Sequence, residues 1–381
     1  MRRRHQSSLT PLIVVVVFGV GIALPAVQQV SEVLPRVEVV DNRRLAPFPP
    51  LVPTFASARA FPDRFEDWYA DHMGLRGALV TGYRWLTDAL LRTPDKVIIG
   101  RDDWLYLRRG IRADIETVPL VRDWCGRFPF SEKQLARWTE TITANRDWLA
   151  ERGIVYLFVV PPNKMTVIPE HLPERFRCRR GTTRLEQLAA ALAARSGIEL
   201  VDLRPPLAAA ARDGEPIWFR TDTHWSPRGV AAAYPALADR IQGRLPDAGR
   251  VEGFDVHARG RDYGDLGRMI HGVDVASDIL WAVRPEPLRS TPAPTPFPDQ
   301  EDVYGRRSSA RTIGDPSLPR ALVFHDSFFD GAMTEFLAES FSRTVFVHHG
   351  RPDIERSLVE QERPDIVIHQ MVERNMLHPF F

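Results

Sequence analysis

Two short polar stretches far apart in the chain contain residue types that could carry out acyl transfer. Asp222 and His224 are two residues apart, a spacing that lets one carboxylate and one imidazole meet at a single turn. A carboxylate held against one ring nitrogen leaves the other free to accept a proton from a nucleophile. Ser327 follows the apolar run 321–324, and an α/β fold places a nucleophile at the carboxyl end of such a strand. These residues predict a triad in which Ser327 is the nucleophile, His224 the base and Asp222 the residue that orients the imidazole.

Each part of this triad also has a plainer interpretation. Asp222 and His224 could be a hydrogen-bonded pair in a loop, and Ser327 could be the N-cap of a helix. The Asp–His pair could also bind a divalent ion together with His325 and Asp326. We favour the triad and expect no metal, because the serine lies at a strand end where the Asp–His loop would converge.

An acyl-transfer site also needs hydrogen-bond donors about 3 Å from the developing negative charge. The candidates share a position after predicted strands, at one edge of the sheet: the backbone N–H groups of Ser327 and Gly350, and the side chains of Gln370, Asn375, Asn163 and Lys164. Taken singly, each is more often a turn or capping residue. Their common placement is the argument for a role in the site.

The elements that would position these residues alternate between strands and helices. Residues 154–160 form a continuous apolar run, typical of a strand buried on both faces. Further predicted strands and helices follow at 184–195, 199–203, 227–242, 331–341, 344–347, 353–361 and 364–368. This alternation predicts an α/β fold with a mostly parallel sheet and helices on both faces. Residues 243–320 are rich in Gly and Pro and predict a long insertion with one short ordered piece at 262–266.

The N-terminus predicts a membrane anchor. Arg2, Arg3 and Arg4 precede an uncharged run, residues 6–31, that is just long enough to span a bilayer. Basic residues before the run and none straight after it predict a cytoplasmic N-terminus and an exported remainder. A cleaved signal peptide is the alternative, but no Ala-x-Ala site follows. We expect an uncleaved anchor over 1–31, a proline-rich linker over 32–60 and one domain over 61–381.

Charge and cysteine content narrow the class of protein further. Fifty basic and 49 acidic residues leave a formal net charge of +1, which argues against a nucleic-acid binder. Cys125 and Cys178 are too few for a disulfide scaffold or a zinc site made of thiolates. They could pair in an oxidising compartment or remain two free thiols.

Several motifs together resemble one known family. Residues 219–225 (Phe-Arg-Thr-Asp-Thr-His-Trp), residues 160–164 (Val-Pro-Pro-Asn-Lys) and residues 372–374 (Val-Glu-Arg) resemble the AlgX/AlgJ-type polysaccharide O-acetyltransferases. Those are SGNH-hydrolase-like proteins of the Gram-negative periplasm. The resemblance extends from about Arg59 to the C-terminus. The serine strand follows the Asp–His loop here, which resembles a circular permutation of the ordinary SGNH order.

The resemblance implies an acetyl transfer in which Ser327 attacks an acetyl donor and the acyl-enzyme passes its acetyl group to a hydroxyl of an exported polysaccharide. It implies an inner-membrane anchor, a periplasmic domain, no cofactor, and a membrane-bound O-acyltransferase as the partner that supplies acetyl groups. Gly350 and Gln370 fall where the oxyanion-forming blocks of the family would lie, and Arg374 lies in the shared Val-Glu-Arg motif. A periplasmic carbohydrate acetylesterase and a non-catalytic polysaccharide-binding assembly protein remain alternatives.

Two departures from the SGNH pattern affect these expectations. His325 stands where the Gly-Asp-Ser motif would have glycine, so the approach to the nucleophile could be narrower or carry an extra proton donor. No Gly-x-Asn-Asp motif follows the last predicted strand, so the side chain that would stabilise the oxyanion is not identified by motif.

Overall fold

The computed structural model describes residues 10–31, 33, 35, 37, 45–50, 53–91, 96–109, 120–194, 198, 200–270, 275–302 and 305–378. The chain forms two compact units. The first comprises Met1–Arg92 and His271–Val273, and the second comprises Thr93–Ile270 and Asp274–Phe381. All residues of the predicted triad belong to the second unit.

The first unit contains three helices among its described residues, α1 (Thr10–Ser31), α2 (Phe55–His72) and α3 (Arg76–Leu91). Helix α2 has a side-chain cap, because the Thr54 hydroxyl accepts a hydrogen bond from the backbone N–H of Ser57 at 3.2 Å. Such a cap satisfies one of the backbone donors that the first turn of a helix leaves without an intrahelical partner.

Two sequence predictions concern this first unit. The predicted linker, residues 32–60, ends inside α2, because that helix already begins at Phe55. Within the described part of the chain, none of the helices combines the length and the apolar character that a membrane crossing requires. Arg2, Arg3 and Arg4, which predict the orientation, lie outside the described residues. The anchor over residues 1–31 stays a prediction.

The second unit is built from short helices and strands. Its described α-helices are α4 (Leu120–Trp124), α5 (Glu132–Ala150), α6 (Lys164–Val167), α7 (Arg184–Ala193), α8 (Arg204–Arg212), α9 (Pro227–Gln242), α10 (Ala332–Ala338) and α11 (Arg356–Glu362). Its described strands are β1 (Val97–Ile99), β2 (Leu105–Leu107), β3 (Val155–Val160), β4 (Leu200–Asp202), β5 (Phe254–Asp262), β6 (Asp278–Pro285), β7 (Thr291–Ala293), β8 (Ser309–Thr312), β9 (Arg320–His325), β10 (Arg343–His348) and β11 (Ile366–Gln370).

A seven-stranded sheet in the order β4-β3-β11-β9-β10-β8-β7 forms the centre of this unit. Parallel pairing joins β4, β3, β11, β9 and β10, whereas β8 and β7 add to one edge in antiparallel pairing. The predicted α/β architecture with a mostly parallel sheet is confirmed. Since parallel strands all point the same way, the carboxyl ends of β3, β9, β10 and β11 meet at one edge of the sheet.

Both faces of the sheet are covered, which explains why its strands are apolar runs without alternation. In β3, Leu157 and Val159 pack into a core cluster with residues of α8, α9 and α10. Tyr156 and Phe158, which point the other way, pack into a second cluster with residues of α5, α7 and α11. Each fully buried side chain of this size contributes about 1.5–3 kcal/mol through the hydrophobic effect.

The insertion at 243–320 is more ordered than its sequence predicts. It contains the antiparallel pair β5–β6 and the strands β7 and β8, which extend the central sheet. Strand β5 is exposed along nearly all of its length, so it needs no apolar face and carries no alternating pattern. The predicted ordered piece at 262–266 is the turn that follows β5, leading into a short 3₁₀ helix, Gly267–Met269.

Cys125 and Cys178, which the sequence left as paired or free, form a disulfide that joins positions 53 residues apart. Closing a loop of this length is expected to stabilise the fold by roughly 4 kcal/mol, because it restricts the unfolded chain. A double variant, Cys125→Ser with Cys178→Ser, should therefore unfold with a free energy lower by about that amount in non-reducing urea titrations. Reductant should lower the stability of the unsubstituted protein to the same level and leave the double variant unchanged; equal stabilities of the two proteins without reductant would contradict this prediction.

Candidate active site

Ser327 lies just beyond the carboxyl end of β9, within a tightly held turn, residues 326–329, which we call the nucleophile turn. Asp326 caps the short 3₁₀ helix Ser327–Phe329 by accepting a hydrogen bond from the backbone N–H of Phe328 at 2.9 Å. The capping role that Ser327 could have had thus belongs to Asp326. The same carboxylate accepts from the backbone N–H of Val372 at 2.7 Å. The turn that carries the serine is therefore fastened to the segment after β11.

Two of the predicted oxyanion donors contribute to this fastening. Gln370 is fully buried, accepts from the backbone N–H of Asp326 at 2.9 Å and donates to its carboxylate at 2.9 Å. Asn375 donates to the other oxygen of the same carboxylate at 2.9 Å. Gln370 thus positions the nucleophile turn, and its amide is not directed at the reacting atoms. Gly350 follows β10 beside Asn375, since a Cβ on Gly350 would lie 3.7 Å from the Asn375 amide nitrogen.

The structure brings the three residues of the predicted triad together. His224 Nε2 lies 2.8 Å from Ser327 Oγ across a sequence separation of 103 residues. His224 Nδ1 lies 2.7 Å from Asp222 Oδ1, which also accepts from the backbone N–H of His224 at 2.9 Å. Because the carboxylate accepts the Nδ1 proton, Nε2 is left with the lone pair that faces the serine hydroxyl. The arrangement can transfer a proton from Ser327 to His224.

The carboxylate of Asp222 is held in its charged form. Burial alone would raise its pKa, but hydrogen bonds from the side chain and backbone of His224 and the nearby imidazole lower the pKa well below its usual value. A charged Asp222 is the state that stabilises an imidazolium on His224.

Two acidic residues of the insertion support the loop that carries the base, residues 220–224, which we call the base loop. The sequence did not point to them as site residues. Asp265 accepts from the backbone N–H of Thr223 at 2.7 Å and donates its own backbone N–H to Asp222 Oδ2 at 3.0 Å. Asp278, at the start of β6, accepts from the backbone N–H groups of Arg220 and Thr221 at 2.7 and 2.8 Å. The ordered piece predicted at 262–266 was the one sequence signal near Asp265, and Asp278 had none.

Gly264 lets this supporting turn approach the base loop. A Cβ at this position would overlap the Cβ of Asp222 and lie 2.6 Å from its Cα. We expect Gly264→Ala to displace Asp222 and lower kcat/KM by about 100-fold, because a shift of about 1 Å in a reacting group has that cost. Gly253→Ala in the same insertion is the matched control, since its Cβ would meet only the backbone oxygen of Glu286 at 3.4 Å. Equal kinetics of the two variants would refute the close-packing argument.

Lys164, predicted as an oxyanion or substrate residue, directs its ammonium at backbone oxygens of the base loop and of β2. Its buried ammonium donates to the backbone oxygens of Leu105 at 2.7 Å and Arg220 at 3.0 Å. Burial lowers the pKa of Lys164 to about 8, against the opposing effect of Asp222 and two further carboxylates. Lys164 thus joins the base loop to β2, because its ammonium donates both to Arg220 in the loop and to Leu105 in β2.

Asn163 and Arg374, two further predicted residues, line one small cleft. Lys164 and Thr223, the residue between Asp222 and His224, also line it. The Arg374 guanidinium carbon lies 4.7 Å from the centroid of the Phe328 ring, the residue after the nucleophile. The backbone N–H of Asn163 donates to the buried carboxylate of Glu373 at 2.7 Å. The motifs 160–164 and 372–374 therefore meet at the site, although they are far apart in the sequence.

His325 is buried beside the nucleophile turn and points into the protein. Its Nδ1 lies 2.9 Å from the backbone oxygen of Asp326, and burial lowers its pKa to about 4, so the ring is neutral at neutral pH. The metal quartet considered from the sequence is not assembled, because Asp326 is engaged in the turn. Two other groups of three have ligand atoms within 4.8 Å of one another: Asp222, His224 and Asp265, and His325, Asp330 and His348.

The doubly covered parallel sheet and the serine–histidine–aspartate arrangement at its carboxyl edge are those of an SGNH-hydrolase-like protein. The family model of the SGNH hydrolase-like domain of the acetyltransferase AlgX matches residues 97–348. The chain belongs to this family, and the predicted AlgX/AlgJ-type relationship is confirmed.

Known relatives agree with this assignment, and a solved structure shares the fold. The probable alginate O-acetylase AlgJ of Pseudomonas syringae pv. tomato is 27% identical over 231 residues, which are 61% of this chain and 51% of that protein. The protein of the same name from Pseudomonas aeruginosa is 26% identical over 299 residues, 73% of this chain and 70% of that protein. This chain thus spans about half the length of the first relative. Bacillus cereus PatB1 is similar in fold, with a TM-score of 0.54 and 15% identity over 74% of this chain and 96% of PatB1.

Proposed function

We propose that this protein is an O-acetyltransferase that passes an acetyl group through Ser327 to hydroxyl groups of a polysaccharide. The observation that carries the proposal is the continuous hydrogen-bonded chain from Asp222 through His224 to the hydroxyl of Ser327. Membership of the AlgX family supports acetyl as the group transferred. The relatives named alginate O-acetylase support a polysaccharide as the acceptor.

The geometry suggests a two-step reaction with one base. In the first step, Ser327 Oγ attacks the acetyl carbonyl while His224 Nε2 accepts the hydroxyl proton, and Asp222 stabilises the resulting imidazolium. Collapse of the tetrahedral intermediate expels the donor's leaving group, which takes the proton from His224. In the second step, His224 removes the proton of an acceptor hydroxyl, whose oxygen attacks the acetyl-serine. The new ester leaves, and Ser327 regains its proton.

Arg374 is the proposed contact of the acceptor. Its guanidinium lies over the ring of Phe328, the residue that follows the nucleophile. A guanidinium is suited to binding the carboxylate groups of an acidic sugar through two parallel hydrogen bonds. We propose that Arg374 contacts the acceptor and that Gly350 and the backbone N–H of Ser327 supply oxyanion donors.

We also propose that the domain works in the periplasm, held at the inner membrane by residues 1–31 and served by a membrane-bound O-acyltransferase. The disulfide between Cys125 and Cys178 supports an exported location, because disulfides persist outside the reducing cytosol. The apolar run after Arg2, Arg3 and Arg4 supports the anchor. Tethering would confine the site to the surface where acetyl groups emerge.

Acceptor dependence separates transfer from hydrolysis. The protein would be incubated with an activated acetyl ester, with and without an acidic polysaccharide, while free acetate and polymer-bound acetyl are measured. We expect acetyl to appear on the polymer and on Ser327, which peptide mass spectrometry detects. Acetate release that no acceptor diverts would favour the esterase alternative, and a Ser327 that is never acetylated would remove the covalent mechanism.

A further inference from the structure

A second cluster of polar side chains lies at the carboxyl ends of β9 and β10. His325 ends β9 and His348 ends β10, and the two residues are directly paired in the parallel register. Asp330 follows the turn that carries Ser327. One ring nitrogen of each imidazole and one carboxylate oxygen of Asp330 lie within 4.8 Å of one another. The cluster does not enter the proposed acyl-transfer steps.

The spacing within this cluster fits ligands around a metal better than a set of hydrogen bonds. His348 Nε2 lies 3.3 Å from Asp330 Oδ1, and His325 Nδ1 lies 3.7 Å from the same oxygen. Both distances exceed the usual range of 2.7–3.2 Å for such hydrogen bonds. A tetrahedral metal with bonds of about 2.0–2.1 Å needs neighbouring ligand atoms about 3.3 Å apart.

The surroundings of the cluster also favour a bound cation. His325 is 2% exposed, and its Nδ1, the nitrogen nearest Asp330, also lies 2.9 Å from the backbone oxygen of Asp326. A metal at the cluster would bind Nδ1 in place of this hydrogen bond, and the proton would move to Nε2. His348 faces Asp330 through Nε2, and its buried Nδ1 has no hydrogen-bond partner within the described residues. Asp330 is 43% exposed and opens the cluster to solvent, which provides an entry path for an ion.

The carboxylate of Asp330 lies beside an ion pair formed by Arg306 and Asp302. Arg306 lies 3.5 Å from Asp330 Oδ2, the oxygen that does not face His348, and is itself paired with Asp302 at 2.6 Å. Such an outer partner can orient a ligating carboxylate. Because Asp302 neutralises the guanidinium, the single carboxylate of Asp330 remains available to a cation.

We infer that His325, His348 and Asp330 form a binding site for a divalent transition metal of the zinc type. Two imidazoles and one carboxylate suit Zn²⁺ or Co²⁺ rather than Mg²⁺ or Ca²⁺, which prefer oxygen ligands. Since the ligands lie on both sides of Ser327 in the sequence and two of them end adjacent strands, the ion would clamp the nucleophile turn to β10. The inference stands apart from the proposed function, because metal binding is measurable without a substrate.

The site can be tested by titrating the metal-depleted full chain with zinc chloride. Calorimetry measures the binding, and the melting temperature measures its effect on stability. We expect one Zn²⁺ to bind at this cluster and raise the melting temperature, and His348→Gln or Asp330→Asn to weaken this binding at least tenfold. Co²⁺ should give visible absorption bands that both variants lose. His257→Gln, which alters an exposed imidazole paired with Asp255 at 2.8 Å, is the control and should bind like the unsubstituted protein.

The group formed by Asp222, His224 and Asp265 is the competing location, and His224→Gln separates the two. Zinc binding that survives His224→Gln and is lost in His348→Gln supports the inference. Binding lost only in His224→Gln, binding retained by both His348→Gln and Asp330→Asn, or no binding by the unsubstituted protein would overturn it. Circular dichroism without metal checks that each variant is folded, and Asp330→Asn, which alters a partly exposed side chain, remains informative if His348→Gln does not fold.

Discussion

Ser327→Ala is expected to lower acetyl transfer by on the order of 10⁴-fold or more, because the reaction loses the atom that would carry the acetyl group. His224 and Asp222 cannot compensate, since their arrangement serves a proton that the variant no longer has. Initial rates of acetyl transfer from an activated ester to polysaccharide measure the effect, and peptide mass spectrometry checks that no acetyl-protein forms.

Two controls make this result specific. Ser317→Ala, which alters an exposed serine bonded to Asp315, should leave the rate unchanged. The melting temperature of Ser327→Ala should stay close to that of the unsubstituted protein, because the core clusters are untouched. A folded Ser327→Ala protein that acetylates polysaccharide at a normal rate would show that the serine is not the nucleophile and would favour a non-catalytic role for the site.

Asp222→Asn is expected to reduce kcat/KM by about 10⁴-fold, the loss known for the corresponding change in a serine-protease triad. Asp222 Oδ1 accepts from the backbone N–H and Nδ1 of His224, and Oδ2 accepts from the backbone N–H of Asp265. An amide has one oxygen and one NH₂ group, so either of its two orientations sets the NH₂ group against an N–H donor. The imidazole then loses both its orientation and the charge that stabilises its protonated form.

The pH dependence of stability gives this second prediction an independent readout. The folded protein holds the pKa of Asp222 below its usual value of about 4, so the carboxylate contributes stability above that pH. This contribution is lost as the pH falls below about 4, because the unfolded chain then binds a proton that the folded protein does not. We therefore expect the stability difference between the unsubstituted protein and Asp222→Asn to shrink between pH 5 and pH 3.

A matched control for Asp222→Asn exists within the chain. Asp255 and His257 have the same two-residue spacing and a hydrogen bond of 2.8 Å, on the exposed strand β5. Asp255→Asn should leave kcat/KM and the pH dependence of stability close to those of the unsubstituted protein. If the two variants behaved alike, Asp222 would contribute no more to catalysis and stability than Asp255 does in its exposed pair with His257.

The α/β pattern was readable because the strands of the central sheet are apolar without interruption. Residues 154–160 and 321–324 predicted the strands found as β3 and β9, since burial on both faces demands apolar residues at every position. The exposed strand β5 places no such demand on its side chains and left no pattern. The strands that form the sheet edge were therefore predictable. The hydrogen bonds by which the insertion holds the Asp222–His224 loop were not.

Residue type alone did not decide which polar group reaches the reacting atoms. Gln370 ends β11 and Lys164 follows β3 at the correct edge, yet Gln370 holds the turn at Asp326 and Lys164 holds the base loop. Asp265 and Asp278, which support Asp222 and its neighbours, have no motif that marks them. A hydrogen bond depends on which groups face one another within about 3 Å, and that is a property of packing.

The two Asp-x-His pairs of this chain separate the contributions of sequence and tertiary structure. Spacing by itself determined that Asp222 could meet His224 and that Asp255 could meet His257, because two residues at one turn or on one face of a strand are neighbours in any fold. Only the folded sheet decided that His224, and not the exposed His257, lies 2.8 Å from Ser327, 103 residues further along the chain. The packing of β9 against its neighbours and the turn fastened by Asp326 bring the serine to the imidazole, and no local pattern encodes that meeting.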